Sequence, residues 1–279
     1  MVKSNNKRKK RNINKNKIKH GQVTIFIVIS IIIVIIIIAF FIFGSFGFSL
    51  RNLTNSDEAN QVQDYITSCI KETGKNAIIY NGIHGGYYIL NYTTPGGTPY
   101  YYDYNSSQYL IPTKQELEKQ LGLFMNVYLN SCDLTQFHDI EISMGEINTR
   151  AKIQDNKVIF NVNYPITITK GNRTSYLKNF NDISIPVRLG VINYAISDYF
   201  NQSYVHPNGI CMTCLYNIGK KNSLYFELYD YDNETVLFLV RDKKVPVGNY
   251  TSYQFDFAAK YPRVNHLTKD SNITIKQNE

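Results

Sequence analysis

Residues 21 to 50 carry no charged side chain, and Ile25 to Phe43 is almost entirely Ile, Val and Phe. An α-helix rises about 1.5 Å per residue, so roughly 20 apolar residues cross the hydrocarbon of a bilayer. Val23 to Phe43 supplies 21, broken only by the hydroxyls of Thr24 and Ser30. Ile is a modest helix former in water. Within lipid, however, an open strand strands its own N–H and C=O groups, so a lone segment has to be helical. The run therefore predicts a transmembrane helix over 21–50. It is longer than the roughly 7 to 15 apolar residues of a secretory signal, and only a weak imitation of a cleavage site, Ser45-Phe46-Gly47, follows it. It reads as a retained signal anchor.

Charge sets the orientation. Residues 1–20 hold nine basic side chains and no acid, and the first acid of the chain is Asp57. Basic residues beside an N-terminal span are kept in the cytoplasm, so the tail stays inside and the rest crosses to the outer face of the cell membrane. The tail also suits anionic lipid headgroups. The chain's net charge of +8 is misleading as a clue to partners. With those nine removed, 21 basic residues face 22 acids, a net of −1. A near-neutral outer part offers no footprint for nucleic acid.

At the start of the run the chain reads Lys19-His20-Gly21-Gln22-Val23-Thr24-Ile25-Phe26. This resembles the class III signal of archaeal type IV pilin-like proteins, and the opening of membrane-anchored proteins in small-genome archaea. The resemblance covers about residues 19–43. It implies that a prepilin-type peptidase cuts between Gly21 and Gln22 on the cytoplasmic side and leaves the helix in place. Phe26 stands where many pilins carry a Glu that seats the neighbouring subunit. The resemblance therefore implies an anchor more than a filament.

Beyond a short polar neck at 51–55, the residues from 56 to 260 are numerous enough for one well-packed domain. Val62, Ile66, Cys69, Thr73 and Ala77 follow one helix face that ends near Gly82. Thr113-Lys114-Gln115-Glu116 opens a second helix with the pattern of a capping box, and Leu117, Leu121, Phe124, Tyr128 and Cys132 form its stripe. Between them lies a loop too rich in Gly, Pro and Tyr to be one regular element. After residue 139 the texture turns to short alternating segments. Lys157 to Tyr164, Ile166 to Thr169, Ser184 to Val187, Leu224 to Tyr229, Val236 to Arg241 and Tyr253 to Phe257 read as strands, and Val191 to Tyr199 as one more helix. The expected class is α+β, with two or three helices and an antiparallel sheet: a helical part at 56–135, a strand-rich part at 139–260, and a polar, flexible tail at 261–279.

All four cysteines lie beyond the anchor. Cys69 and Cys132 each fall on the apolar stripe of an expected helix, which makes a bridge between the helices reasonable. Cys211 and Cys214 form a Cys-x-x-Cys pair. An oxidising exterior favours disulfides. Zinc held by all four thiolates is a second reading, and needs them to converge in a tetrahedron. A thioredoxin-like redox motif is a third, and needs a strand before the pair and a helix after it. Gly209 before, and Asn217 and Gly219 after, speak against that strand-then-helix arrangement. Eight Asn-x-Ser/Thr sequons begin at Asn52, Asn91, Asn105, Asn172, Asn201, Asn233, Asn249 and Asn272, all on the expected outer side.

No catalytic constellation assembles. The five histidines are scattered, and no Gly-x-Ser-x-Gly elbow occurs. Asp230-x-Asp232-x-Glu234 imitates the start of a calcium loop, but Thr235 occupies the glycine position and Arg241 that of the closing Glu. It reads as a hairpin tip. His84, Gly85, Gly86, Tyr87, Tyr88 and Tyr101 form the most individual stretch, where tyrosines beside glycines suit a protein or glycan partner. The expectation is a single-pass surface protein presenting a structural or interaction domain, not an enzyme and without a cofactor. The alternatives are a minor pilin or pseudopilin, and a membrane-tethered hydrolase of the envelope.

Overall fold

The computed structural model describes residues 58–203, 209–248, 250–262 and 273–275. The basic tail, the apolar run, the neck, and the Gly21, Gln22, Asn52, Asn249 and Asn272 positions lie outside the described residues. Among those described, no helix is long and apolar enough to cross a membrane.

The elements are α1 (Glu58–Ile83), β1 (Tyr100–Asp103), β2 (Gln108–Tyr109), α2 (Lys114–Tyr128), β3 (Glu141–Met144), β4 (Asn148–Ile153), β5 (Lys157–Lys170), β6 (Arg173–Pro186), α3 (Leu189–Ser203), α4 (Met212–Asn222), β7 (Tyr225–Asp230), β8 (Thr235–Asp242), β9 (Tyr253–Lys260) and β10 (Ile273–Ile275). The class is α+β. Among the described residues, four helices replace the two or three expected beyond the anchor, and two sheets replace one.

The first sheet is built on β5, whose 14 residues alternate strictly between buried and half-buried along most of their length. β6 pairs along one edge of β5, while β3 and β4 lie end to end along the other. Its inner face presents Val158, Phe160, Val162, Tyr164, Ile166 and Ile168, all buried. α1 and α2 cover this face. Gly74 lets α1 cross close, because a Cβ there would meet Ile185 and Phe160. The second sheet runs β10-β7-β8-β9-β1-β2. β1 is parallel to β9, so this sheet is not purely antiparallel. All four β1 residues are buried. An interior parallel strand covered on both faces reads as a continuous apolar run, not an alternating one. Tyr100, Tyr101 and Tyr102 meet that condition inside what reads, by composition, as a loop. α1 packs against β9 as well as β6 and so serves both sheets. Within the expected polar tail, Ile273–Ile275 pairs with β7 as an edge strand.

Candidate functional site

The six residues of the Gly/Tyr stretch separate in the fold. Gly85 and Gly86 are buried at positive φ just past α1, and Tyr101 is 1% exposed, donating its hydroxyl to the Gly85 carbonyl at 2.7 Å. These three belong to the core and cannot meet a partner. His84, Tyr87 and Tyr88 remain half-buried. The His84 ring stacks on Tyr80 with centroids 4.0 Å apart. Tyr88 packs edge-on against Phe124, which stacks on Tyr128. The strip extends along α1 and α2 to the exposed Tyr128 and Val127. Its backbone is fixed by Gln120, whose Oε1 accepts the N–H groups of Tyr88 and Ile89 at 2.9 and 3.0 Å. Gln120 in turn donates to Glu116. Only half of the expected capping box therefore forms: Thr113 accepts the Glu116 N–H, while the Glu116 carboxylate serves Gln120.

A second cluster ties this loop to β9. Tyr92 donates to Asp103 at 2.6 Å, and Lys260 donates to the Tyr92 hydroxyl at 3.2 Å while lying over the Tyr100 ring. The hydrogen bond to Asp103, reinforced by burial, raises the Tyr92 hydroxyl above its usual range. Donating to the Tyr92 hydroxyl likewise raises the Lys260 ammonium. These groups hold one another and leave little chemistry to spare.

On the second sheet, Glu227 pairs with Arg241 at 2.9 Å and Gln254 donates to Asp256 at 2.7 Å. Glu227 and Asp256 flank Leu239 in register on β7, β8 and β9. Burial pushes the Asp256 carboxyl up to about 6, with the Glu227 charge adding to the rise and Gln254 and Arg241 opposing it. Among the described residues this is the nearest approach to an acid–base pair. Glu227 is nevertheless committed to its arginine and Asp256 Oδ2 to its glutamine, while Asp256 Oδ1 is buried without a hydrogen-bond partner among the described residues.

The outer face of the first sheet holds a cleft of about 550 Å³. Its walls are Glu146, Asn148 and Arg150 before and on β4, Asn161 and Asn163 on β5, and Asn179 and Asn181 on β6. Asn148, Asn163 and Asn179 stand in one cross-strand row. Asn163 donates to Asn179 at 3.2 Å, and Asn161 accepts the Asp182 N–H at 2.9 Å. The β5–β6 register slips on either side of this row, and Asp182 has φ +57°. Asn is depleted in strands, and bulges collect where a sheet is shaped for a purpose. The spacing of Asn148-x-Arg150, Asn161-x-Asn163 and Asn179-x-Asn181 is visible in the sequence. In an Asn-rich chain it passes unnoticed until the strands are aligned.

All four cysteines are consumed in two disulfides, Cys69–Cys132 and Cys211–Cys214. Among the described residues no group of three or more His, Cys, Asp or Glu is placed to hold a metal. α4 begins immediately at the Cys-x-x-Cys pair, against the expectation of no helix there. Cys211 caps it, Leu215 and Ile218 bury its apolar face, and Ser223 ends it in the left-handed region. Asp232 accepts the N–H groups of Glu234 and Thr235, which makes the would-be calcium loop a hairpin tip. Asn91, Asn105, Asn172, Asn201 and Asn233 are all exposed. No family model, curated protein or solved structure matches the chain.

Proposed function

We propose that this chain is a membrane-tethered binding module that holds its α+β domain outside the cell and takes neutral, hydroxyl-rich glycans in the amide-lined cleft. The observation that carries this reading is the row of Asn148, Asn163 and Asn179 across three strands. A primary amide offers two donors and an acceptor, the mixture that sugar hydroxyls answer. The cleft's formal charges, Glu146 and Arg150, are opposite and leave it neutral, which suits an uncharged ligand better than an anion or a cation. Tyr176, 76% exposed, pairs with Thr167 four residues along β5 from Asn163. At about 3.3 Å per residue this lies roughly 13 Å away, within reach of a second or third sugar. The tether is supported by the uncharged run behind a basic tail and by the position of every cysteine and sequon beyond it. The lipid bilayer is then its permanent partner, with anionic headgroups at the tail. Glu227, paired with Arg241, and Asp256, bound by Gln254 through one oxygen, favour binding over catalysis.

Titrating the full chain in lipid nanodiscs with a panel of neutral oligosaccharides tests the reading. At least one should bind saturably with a Kd on the order of 1 mM or tighter. Replacing Asn148 or Asn163 by Ala should weaken it roughly fivefold each, the worth of one hydrogen bond. Failure of the whole neutral panel, or binding that ignores both substitutions, rules the reading out.

A further inference from the structure

We infer that the Cys211–Cys214 disulfide is an exchangeable redox centre that accepts electrons from protein dithiols, whereas Cys69–Cys132 is a structural brace. The two bridges differ in the loop they close and in the local structure around their sulfurs. Cys69–Cys132 joins positions 63 residues apart, with Cys132 6% exposed and Cys69 half-buried. A long closed loop removes much conformational freedom from the unfolded chain, so the folded state strongly favours that bond. Cys211–Cys214 spans 3 residues and gains little this way. Both of its residues are half-buried, as Cys69 is, and neither is closed off as Cys132 is.

Local structure then favours the reduced form. Cys211 occupies the cap of an 11-residue helix, and its Sγ accepts the Cys214 N–H at 3.3 Å. Unpaired N–H groups and the positive end of the helix dipole stabilise a thiolate at that position. A thiol so placed has a depressed pKa and leaves readily from a mixed disulfide. Among the described residues no strand leads into the pair: Gly209 and Ile210 are irregular, and α3 ends at Ser203. The inference rests on the local helix cap and on accessibility, and it is independent of the glycan cleft.

The exchange balances without any other reagent. One thiolate of a client dithiol attacks the Cys211 sulfur, the bond to Cys214 breaks, and Cys214 leaves and takes up a proton. The client's second thiolate then attacks its own sulfur in the mixed disulfide and displaces Cys211. The client is oxidised to a disulfide, two electrons pass to the Cys211–Cys214 pair, and the two thiol protons end there.

Equilibrating the full chain in nanodiscs with glutathione buffers, then quenching with acid, alkylating and mapping peptides by mass spectrometry, tests this without any variant. Cys211–Cys214 should be reduced at least tenfold more readily than Cys69–Cys132, a gap of about 30 mV or more. In a Cys214→Ser variant, Cys211 should react with oxidised glutathione at pH 6 at least tenfold faster than a free cysteine peptide does. The native chain should also oxidise a reduced synthetic dithiol peptide while glycan binding stays unchanged. Reduction of both bridges together, only as the domain unfolds, overturns the inference. So does a Cys211 that reacts no faster than the free peptide.

Discussion

Asp256 binds its proton more tightly in the folded domain than in the unfolded chain, because burial raises it from 3.8 to about 6. The stability tied to this group is complete below the lower value and falls as pH rises through the window between the two. Two pKa units correspond to up to about 3 kcal/mol. Asp256→Asn should therefore stabilise the domain at pH 7.5 by about 1–3 kcal/mol and change little at pH 4. Urea melts of both proteins across that range measure the difference, and parallel pH profiles would show that Asp256 is not the source. Gly86 makes an opposite demand. At φ +82°, with a Cβ running into Leu117, alanine there meets backbone strain and a clash together. Gly86→Ala should cost about 2 kcal/mol or more, read as a lower melting temperature. Single residues of this kind are the least legible in a sequence. Gly86 announces only a turn, and Asp256 looks like any polar position on a strand, since the charged groups around it, Glu227 and Arg241, arrive from β7 and β8.

At the scale of elements, the periodic segments were legible and the irregular ones were not. α1, α2 and α3 follow their apolar stripes, and β5, β7, β8 and β9 their alternation, because each buries one face against the core. α4 was hidden by Asn217 and Gly219, residues that weaken a helix in isolation. Its single buried edge, Leu215 and Ile218, together with caps at both ends, suffices in context. β1 was hidden because it has no exposed face to alternate with. Two cross-links fasten these elements. Cys69–Cys132 ties α1 to the turn after α2, and opening it through a Cys69→Ser, Cys132→Ser double variant should cost about 4 kcal/mol in the chain-entropy account. Arg188, just before α3, meets the fully buried Asp242 of β8 at 3.0 Å and also donates to the Asn222 carbonyl. Arg188→Ala leaves that buried charge with no counter-ion and only the Lys244 N–H to answer it, and should cost about 3–5 kcal/mol. A well-packed Arg188→Met, Asp242→Leu pair should recover most of it. Denaturant melts of the single and double variants distinguish a buried charge from lost packing.

For the whole molecule, the sequence and the fold constrain different halves of one proposal. The apolar run and the nine basic residues ahead of it speak to location and are legible from composition alone. The pairing of three Asn-bearing strands speaks to binding, and it emerges only when β4, β5 and β6 come into register. Two sheets sharing α1 could not be read from the chain, because nothing local marks that β1 leaves the helical region to join β9. If the run is a signal anchor with its basic tail inside, the sheet and the tail lie on opposite sides of one membrane. Cysteines placed at Lys178, exposed on β6, and at Lys10 in the tail make this measurable. In intact cells a membrane-impermeant maleimide should modify the Lys178→Cys protein and not the Lys10→Cys protein, which should react only after lysis. The native cysteines, paired in two bridges, should contribute little background unless a reductant is added. Labelling at position 10 with position 178 protected would reverse the orientation. Because glycans of the surroundings would then be out of reach of the cleft, that result would remove the proposed function with it.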